Sequence, residues 1–335
     1  MRILVTGALG FMGSWITDIL TQEGHQVFGI DNLSSGSKEN QNPQAKYFYS
    51  DLVDENATAR IFSLVNPEVV FHLASTAREG ASAFQPVKVT KNNFLAFIVT
   101  LKNFIKYKGS KFIHFSSMSI YGEQSPPFTE EMSRKPVDLY GMNKAMMEET
   151  LEMMSKVYEF RYTIIRPFNV IGPRQSFDLF RNVAAIFMNR IMRGEPIFVY
   201  GDGEQKRSFS PIRNSLPCYI KCLTNPDTDG ETYNIGGSEV ITINDLAEKI
   251  IKLFPEFPTP KVVHLPPRPL EVKFAWCDTT KAEKALGYAK NQSLDECLEE
   301  MACWAKEKGA QEWSDEELEL INEKTPKTWV KGELR

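Results

Sequence analysis

A chain of 335 residues with a net charge of −4 is long enough to bury one large core or two moderate ones. Its charges of both signs are interspersed, which excludes a basic nucleic-acid surface, and no apolar run reaches the length of a membrane span. The five cysteines, at positions 218, 222, 277, 297 and 303, lack metal-ligand spacing, so we expect packed, reduced thiols, no metal and a cytoplasmic protein. The apolar N-terminus is broken by glycines and leads into Asp18 and Glu23 without a small-residue cleavage site, unlike a signal peptide.

In chain order, the aliphatic run Arg2-Ile-Leu-Val-Thr6 reads as a strand, followed by Gly7, Gly10 and Gly13 at three-residue spacing. Apolar residues at helical spacing then follow at Phe11, Trp15, Ile16, Ile19 and Leu20. Strand, glycine turn and helix start make a dinucleotide-binding pattern: the glycines let backbone approach a pyrophosphate, which the helix N-terminus favours. His25–Ile30 reads as the next strand, and Asp31 ends it, eighteen residues after Gly13. An acid there accepts hydrogen bonds from the adenosine ribose and repels a 2′-phosphate, and no cation follows until Lys38. The expected cofactor is therefore NAD rather than NADP.

Further strands are expected at 46–49, 68–72, 111–115 and 162–165, with helices near 54–65, 86–107 and 138–159 between them. This alternation predicts an α/β fold with a doubly wound, parallel, Rossmann-type sheet. In the second half prolines are dense at 255–269, strands shorten, and helices are expected near 177–193, 212–223, 242–254 and 293–307. We expect a Rossmann domain over 1–168, with part of 208–240 returning to it. A smaller α/β substrate domain over 169–307 would cover the carboxyl edge of the sheet. In the remaining tail, 308–335, Ser314-Asp-Glu-Glu317 has a capping-box pattern, predicting a helix and then an extended segment to which no chemistry is assigned.

Tyr140 and Lys144 stand four apart at the start of a predicted helix, so phenol and ammonium share a face. A lysine charge there should lower the phenol pKa and make it usable as an acid or base near neutrality. A second Tyr-x-x-x-Lys, Tyr107 to Lys111, is divided by Gly109, which ends the helix, so its side chains should diverge. Ser117, just past the strand at 111–115, offers a hydroxyl at the same sheet edge.

Thr6-Gly7-x-x-Gly10-x-x-Gly13, Asp31-Asn32-Leu33, Asp51-Leu52, His72-Leu73-Ala74-Ser75, Asn92, Ser116-Ser117-x-x-x-Tyr121-Gly122, Tyr140-x-x-x-Lys144 and Arg166-Pro-Phe168-Asn169-Val-x-Gly172-Pro173 occur in order. Together they resemble the extended short-chain dehydrogenase/reductase family, in its NAD-dependent nucleotide-sugar epimerase/dehydratase branch, from Met1 to about Lys306. The resemblance implies that Gly7, Gly10, Phe11, Met12 and Gly13, with Asp31, Asn32, Ser35 and Gly36, bind the cofactor. It also implies cofactor contacts from Asp51, Leu52, Leu73, Ala74, Ser75, Asn92 and Phe168, with Tyr140 and Lys144 at the nicotinamide end. Ser117, Tyr140 and Lys144 are the implied catalytic set; Asn169, Arg207 and Arg268 would bind the nucleoside diphosphate portion of an activated sugar.

Where the family usually has Arg-Asp-Phe-x-x-Val-x-Asp, this chain has Arg207-Ser-Phe-Ser-Pro-Ile-Arg-Asn214. Dehydratases and decarboxylases of the branch typically carry an acid at the position of Ser119, often another at Met118, and this chain has neither. The resemblance thus points to a nucleoside-diphosphate-sugar 4-epimerase with tightly held NAD and a transient 4-keto intermediate. A nucleotide-sugar dehydrogenase, reductase, dehydratase or decarboxylase is the alternative, and a non-catalytic NAD-binding scaffold a remote one. Helices near 86–107 and 138–159 often pair across a homodimer in such proteins, and Phe94, Phe97, Ile98, Leu101, Met147, Leu151 and Met154 suit that role or core packing equally.

Overall fold

The computed structural model describes residues 1–312, 316–331 and 334. At its centre lies a seven-stranded sheet in the order Glu231–Ile235, Arg161–Pro167, Lys111–Phe115, Val69–His72, Arg2–Thr6, Gln26–Asp31, Lys46–Tyr49. Every pairing in it is parallel. Strand order reverses between Arg2–Thr6 and Val69–His72, the switch point at which such sheets bind ligands beyond their carboxyl ends.

Near-continuous apolar strands are needed because both faces are covered. Ile3 and Val5 pack with Ile16 and Leu20 of helix Phe11–Gln22 and with Leu216 and Tyr219 of helix Ile212–Thr224. Leu4 turns to the other face, against Phe62, Phe97, Leu101, Met147 and Leu151. Phe97, Leu101, Met147 and Leu151 are thus consumed by the chain's own core, whereas Met142, Met146, Met153 and Val157 of helix Leu139–Tyr158 are exposed. A second core joins helices Val183–Met192, Ile243–Lys252 and Leu294–Lys308 over the carboxyl edge of the sheet. All five cysteines are unpaired, with Cys218 and Cys222 buried. Among the described residues no helix is long and apolar enough to cross a membrane.

Several elements differ from the sequence reading, the edge strand Glu231–Ile235 among them. The stretch near 86–107 contains a π-helical turn, Lys91–Leu95, between Pro86–Thr90 and Ala96–Lys106. Such turns re-aim side chains, and here Asn92 donates to Thr76 Oγ1 at 3.1 Å while Asn93 Oδ1 accepts the Thr76 N–H at 2.6 Å, tying down the loop after Val69–His72. The helix expected from 177 begins only at Val183. Asp178 before it is engaged by Arg78 at 2.9 Å and by the Phe180 N–H, which holds that segment as a loop. Helix Thr280–Leu286, which no sequence pattern revealed, packs against Ile212–Thr224.

In the tail, Ser314 lies outside the described residues, but residues 316–320 are not helical. Glu316 instead reaches Arg78 at 2.5 Å and Lys88 at 2.6 Å, partnerships that a helical turn would not leave available. Trp329 is 3% exposed, edge-on to Phe84 and Phe180, so the tail is anchored at both ends.

Candidate active site

One cavity of about 460 Å³ runs along the carboxyl edge of the sheet from the glycine turn to the second core. Gly7, Gly10, Phe11, Met12 and Gly13 line one end. Gly7 has φ +66°, and a Cβ on Gly13 would sit 2.1 Å from the Gly7 carbonyl oxygen, so the turn closes only with glycine. No side chain caps helix Phe11–Gln22, and its first turn carries no acid, leaving its N-terminus open to an anion. Asp31 accepts the Leu9 and Leu33 N–H groups at 2.9 and 2.8 Å and lines the same end with Asn32 and Ser35. Gly36 stays outside the lining, but a Cβ there would lie 2.8 Å from Asp31 Oδ1, so its bareness leaves room for the carboxylate. Asp51, Leu52, Leu73, Ala74, Ser75 and Asn92 continue the wall. Thr6 Oγ1 sets part of it by accepting the Leu73 and Ala74 N–H groups at 3.1 and 3.2 Å. A cradle of glycines, an open helix end and a carboxylate lining the same end of the cavity fit a dinucleotide.

Phe168 departs from the reading. It is fully buried against Tyr121 and Phe128 and does not line the cavity, because the sheet edge there is covered by its own aromatic cluster.

The middle of the cavity holds Ser117, Tyr140 and Lys144. Helix Leu139–Tyr158 starts at Asp138, whose carboxylate accepts the Gly141 N–H at 2.8 Å, placing Tyr140 in the first turn and Lys144 one turn on. The Lys144 ammonium donates to the Phe115 carbonyl at 2.7 Å and lies 5.7 Å from the Tyr140 ring centre. Ser117 caps a short 3₁₀ turn, accepting the Ser119 N–H at 3.1 Å and donating to Ser119 Oγ at 3.1 Å, and lines the cavity beside Tyr140. Tyr107 and Lys111 diverge: the phenol goes to the Ala59 carbonyl, the ammonium to Thr228 and Asp229.

The electrostatics differ from the sequence expectation. Burial pushes the Tyr140 phenol up rather than down, with the Glu79 and Asp138 charges adding to the rise and Ser117 and Arg181 opposing it. Burial likewise pushes Lys144 down to about 7, against the raising influence of Glu148 and Glu79. Spacing alone counts the attraction between lysine and phenolate; it does not count the cost of charging both groups out of water. Asp138 is raised to about 7, chiefly by burial, with its backbone hydrogen bond to Gly141 opposing. The folded protein holds that proton through a range in which the unfolded chain has released it, so stability is lost as pH rises from about 4 through 7. Asparagine caps a helix about as well as aspartate. The melting-temperature advantage of Asp138→Asn over the parent should therefore grow between pH 4.5 and 7.5; a difference independent of pH would contradict this.

At the far end, Arg207, Arg268 and Asn169 all line the cavity. Arg207 donates to the Lys206 and Lys273 carbonyls at 2.9 and 3.0 Å and to the Val272 carbonyl, and burial lowers it to about 10. Arg268 pairs with Glu271 at 2.5 Å, its guanidinium 5.0 Å from the Tyr200 ring centre. Asn169 donates to the Ser208 carbonyl at 3.0 Å. The altered segment after Arg207 is held by Ser210 donating to the Phe168 carbonyl at 2.6 Å, by Asn214 bonding the Gln292 backbone at 2.8 and 2.9 Å, and by an Arg213–Glu300 ion pair at 2.9 Å.

Several lining residues had no motif to announce them. Glu79 comes from the loop after Val69–His72, Thr328 and Trp329 from the tail, and Arg181 from the loop before Val183–Met192. Positions 118 and 119 carry no acid, but Glu79 brings a carboxylate to Ser119 from a different loop, at 3.3 Å.

A parallel sheet with a glycine cradle at its switch point and a Ser-Tyr-Lys set beside it defines a dinucleotide-dependent enzyme of the short-chain dehydrogenase/reductase type. Residues 3–236 match the NAD dependent epimerase/dehydratase family, and the chain belongs to that family; its cofactor is NAD. It is 31% identical over 309 residues to the UDP-glucose 4-epimerase of Mycolicibacterium smegmatis, covering 88% of this chain and 96% of that protein. The UDP-glucose 4-epimerase of Thermotoga maritima, solved with UDP-glucose, superposes with a TM-score of 0.86 at 36% identity, over 92% of this chain and 99% of that one. The UDP-glucuronic acid 4-epimerase of Bacillus cereus, solved with UDP-glucuronic acid and NAD, gives a TM-score of 0.82 at 29% identity, over 92% and 99%.

Proposed function

We propose that this protein is a UDP-sugar 4-epimerase that keeps its NAD through the catalytic cycle. The observation that carries the reading is Tyr140, buried with Ser117 and Lys144 in the cavity that the glycine cradle opens. Tyr140 takes the proton from the sugar 4-hydroxyl and returns it to the same oxygen, with Ser117 hydrogen-bonding that oxygen throughout. Lys144, held by the Phe115 carbonyl, favours the phenolate whenever it carries its own proton. Bound NAD supplies the acceptor and later the donor of the C4 hydride. Between the two transfers the 4-ketose turns over, and Arg207 and Arg268 keep the diphosphate fixed while it does so.

In this reading residues 1–168, with 208–240 returning to them, bind the cofactor, 169–307 take the sugar nucleotide, and the tail from 308 completes the wall. Unpaired cysteines favour a cytoplasmic location, and the exposed apolar side chains of helix Leu139–Tyr158 favour a homodimer.

The experiment is to unfold the purified protein, identify the dinucleotide released, and follow UDP-, GDP- and dTDP-sugars by NMR with no NAD added. Inversion at C4 without net redox change supports the reading, whereas accumulation of a 4-keto-6-deoxy sugar or loss of CO₂ replaces it. If the two arginines hold the diphosphate, Arg268→Ala and Arg207→Ala should each weaken substrate binding by about 2 kcal/mol, some thirtyfold, with NAD retained. Calorimetry with UDP checks this; unchanged affinity in both variants would take them out of the site.

A further inference from the structure

We propose that Glu79 selects the sugar, admitting neutral hexosyl groups and rejecting uronates, an assignment that rests on the 4-epimerase reading above. The relatives just described act on both kinds of substrate, so the scaffold by itself does not choose between them.

Glu79 lies on the loop between strand Val69–His72 and the 3₁₀ turn Ser82–Phe84, and it lines the cavity. The loop is fixed from two sides. Asn92 and Asn93 of the π-helical turn bind Thr76, and Arg78 is tied to Asp178 and Glu316. The Glu79 carbonyl also accepts the Ser82 N–H at 3.2 Å and the Ser82 hydroxyl at 2.7 Å. Its carboxylate is therefore delivered by an ordered segment.

The carboxylate sits among the residues of the reaction. Oε1 accepts the Ser119 hydroxyl at 3.3 Å, and Ser119 Oγ accepts the Ser117 hydroxyl at 3.1 Å. Its charge acts on Tyr140, Lys144 and Asp138 at the catalytic centre and on Arg207 and Arg268 at the diphosphate end. With Ser119 on one side, and Arg268 Nη1 4.0 Å from where a Cβ on the adjacent Gly80 would sit on the other, Glu79 stands between the catalytic set and the diphosphate end, where the hexose would lie. The neighbouring cations are engaged elsewhere: Arg181 with Asp178 at 3.3 Å and Arg268 with Glu271 at 2.5 Å. Among the described residues no lysine or arginine nitrogen lies within 4.0 Å of the Glu79 carboxylate, so its acceptor capacity and its charge face the sugar.

A carboxylate in a partly desolvated pocket accepts hydrogen bonds from hydroxyl groups and repels a second carboxylate. The hexose of an epimerase presents both faces in turn, so its C6 substituent takes up two positions relative to this fixed charge. A neutral CH₂OH tolerates both, whereas a C6 carboxylate is penalised in whichever is nearer. Specificity built by like-charge exclusion needs no change in the catalytic set.

The test uses the full-length, NAD-loaded protein with UDP-glucose and UDP-glucuronate, comparing kcat/KM by NMR in the parent, Glu79→Gln and Glu79→Asp. The parent should favour UDP-glucose at least tenfold. Glu79→Gln, shown folded by its melting temperature and NAD content, should narrow that ratio at least tenfold through faster UDP-glucuronate turnover, while Glu79→Asp should keep it. A parent that uses both sugars equally, or a Glu79→Gln ratio within twofold of the parent, overturns the assignment and leaves the epimerase reading standing. If neither nucleotide turns over, the epimerase reading fails, and calorimetry then decides about Glu79. Tighter binding of UDP-glucose, levelled by Glu79→Gln, supports the exclusion, and equal binding in the parent overturns it.

Discussion

Replacing Tyr140 by phenylalanine should lower kcat by roughly 10²–10⁴-fold while fold, NAD content and substrate affinity stay close to the parent, because general acid–base catalysis is worth about that much. The phenol donates its chemistry through one oxygen, and phenylalanine keeps the ring that fills this 5% exposed position. The pH dependence should carry the mark of burial. With the Tyr140 phenol pushed up, the fraction able to accept a proton rises with pH, so kcat/KM should climb through the neutral range. Lys144→Met removes a cation 5.7 Å from the Tyr140 ring centre that favours the phenolate, and should both slow turnover and displace that climb to higher pH. Tyr107→Phe is the control, since Tyr107 lies outside the cavity lining, and its kcat should stay within a few-fold of the parent. Near-parental turnover by Tyr140→Phe would remove Tyr140 as the base.

The second large effect is expected at Gly13. An added Cβ would meet the Gly7 carbonyl oxygen at 2.1 Å, its carbon at 2.8 Å and Ala8 Cα at 3.0 Å, all of them backbone atoms that cannot rotate away. Gly13→Ala should therefore displace the turn itself, costing about 1–3 kcal/mol or more, and the purified protein should lose its bound NAD. Gly10→Ala meets the same oxygen at only 3.3 Å and should disturb melting far less. The ranking is the test: equal melting temperatures for the two variants would show that the cradle is not closed by Gly13.

Arg2–Thr6 and Val69–His72 were readable because each is a short apolar run covered on both faces and needs no tertiary information, whereas the edge strand Glu231–Ile235 was not read. The glycine turn, Asp31 and the Tyr140–Lys144 pair were readable because each is a local arrangement of a few residues. What escaped is long-range. Arg78 and Glu316 meet across 238 positions, so the tail's anchoring leaves no local trace, and the apparent capping box at Ser314 gave no helix at 316–320. Glu79 belongs to no motif; only the packing of its loop against the Ser117–Ser119 turn makes it a neighbour of the site. The direction of the Tyr140 shift was lost for a related reason, since sequence spacing records charges but not their distance from water.

The central claim, inversion at C4 through a retained NAD, is tested most directly with UDP-glucose carrying deuterium at C4. The label should appear in UDP-galactose still at C4, undiluted by solvent and without any added nucleotide, as a hydrogen taken up and returned within one closed cavity requires. Deuterium lost to water, or a sugar product unchanged at C4, would contradict it.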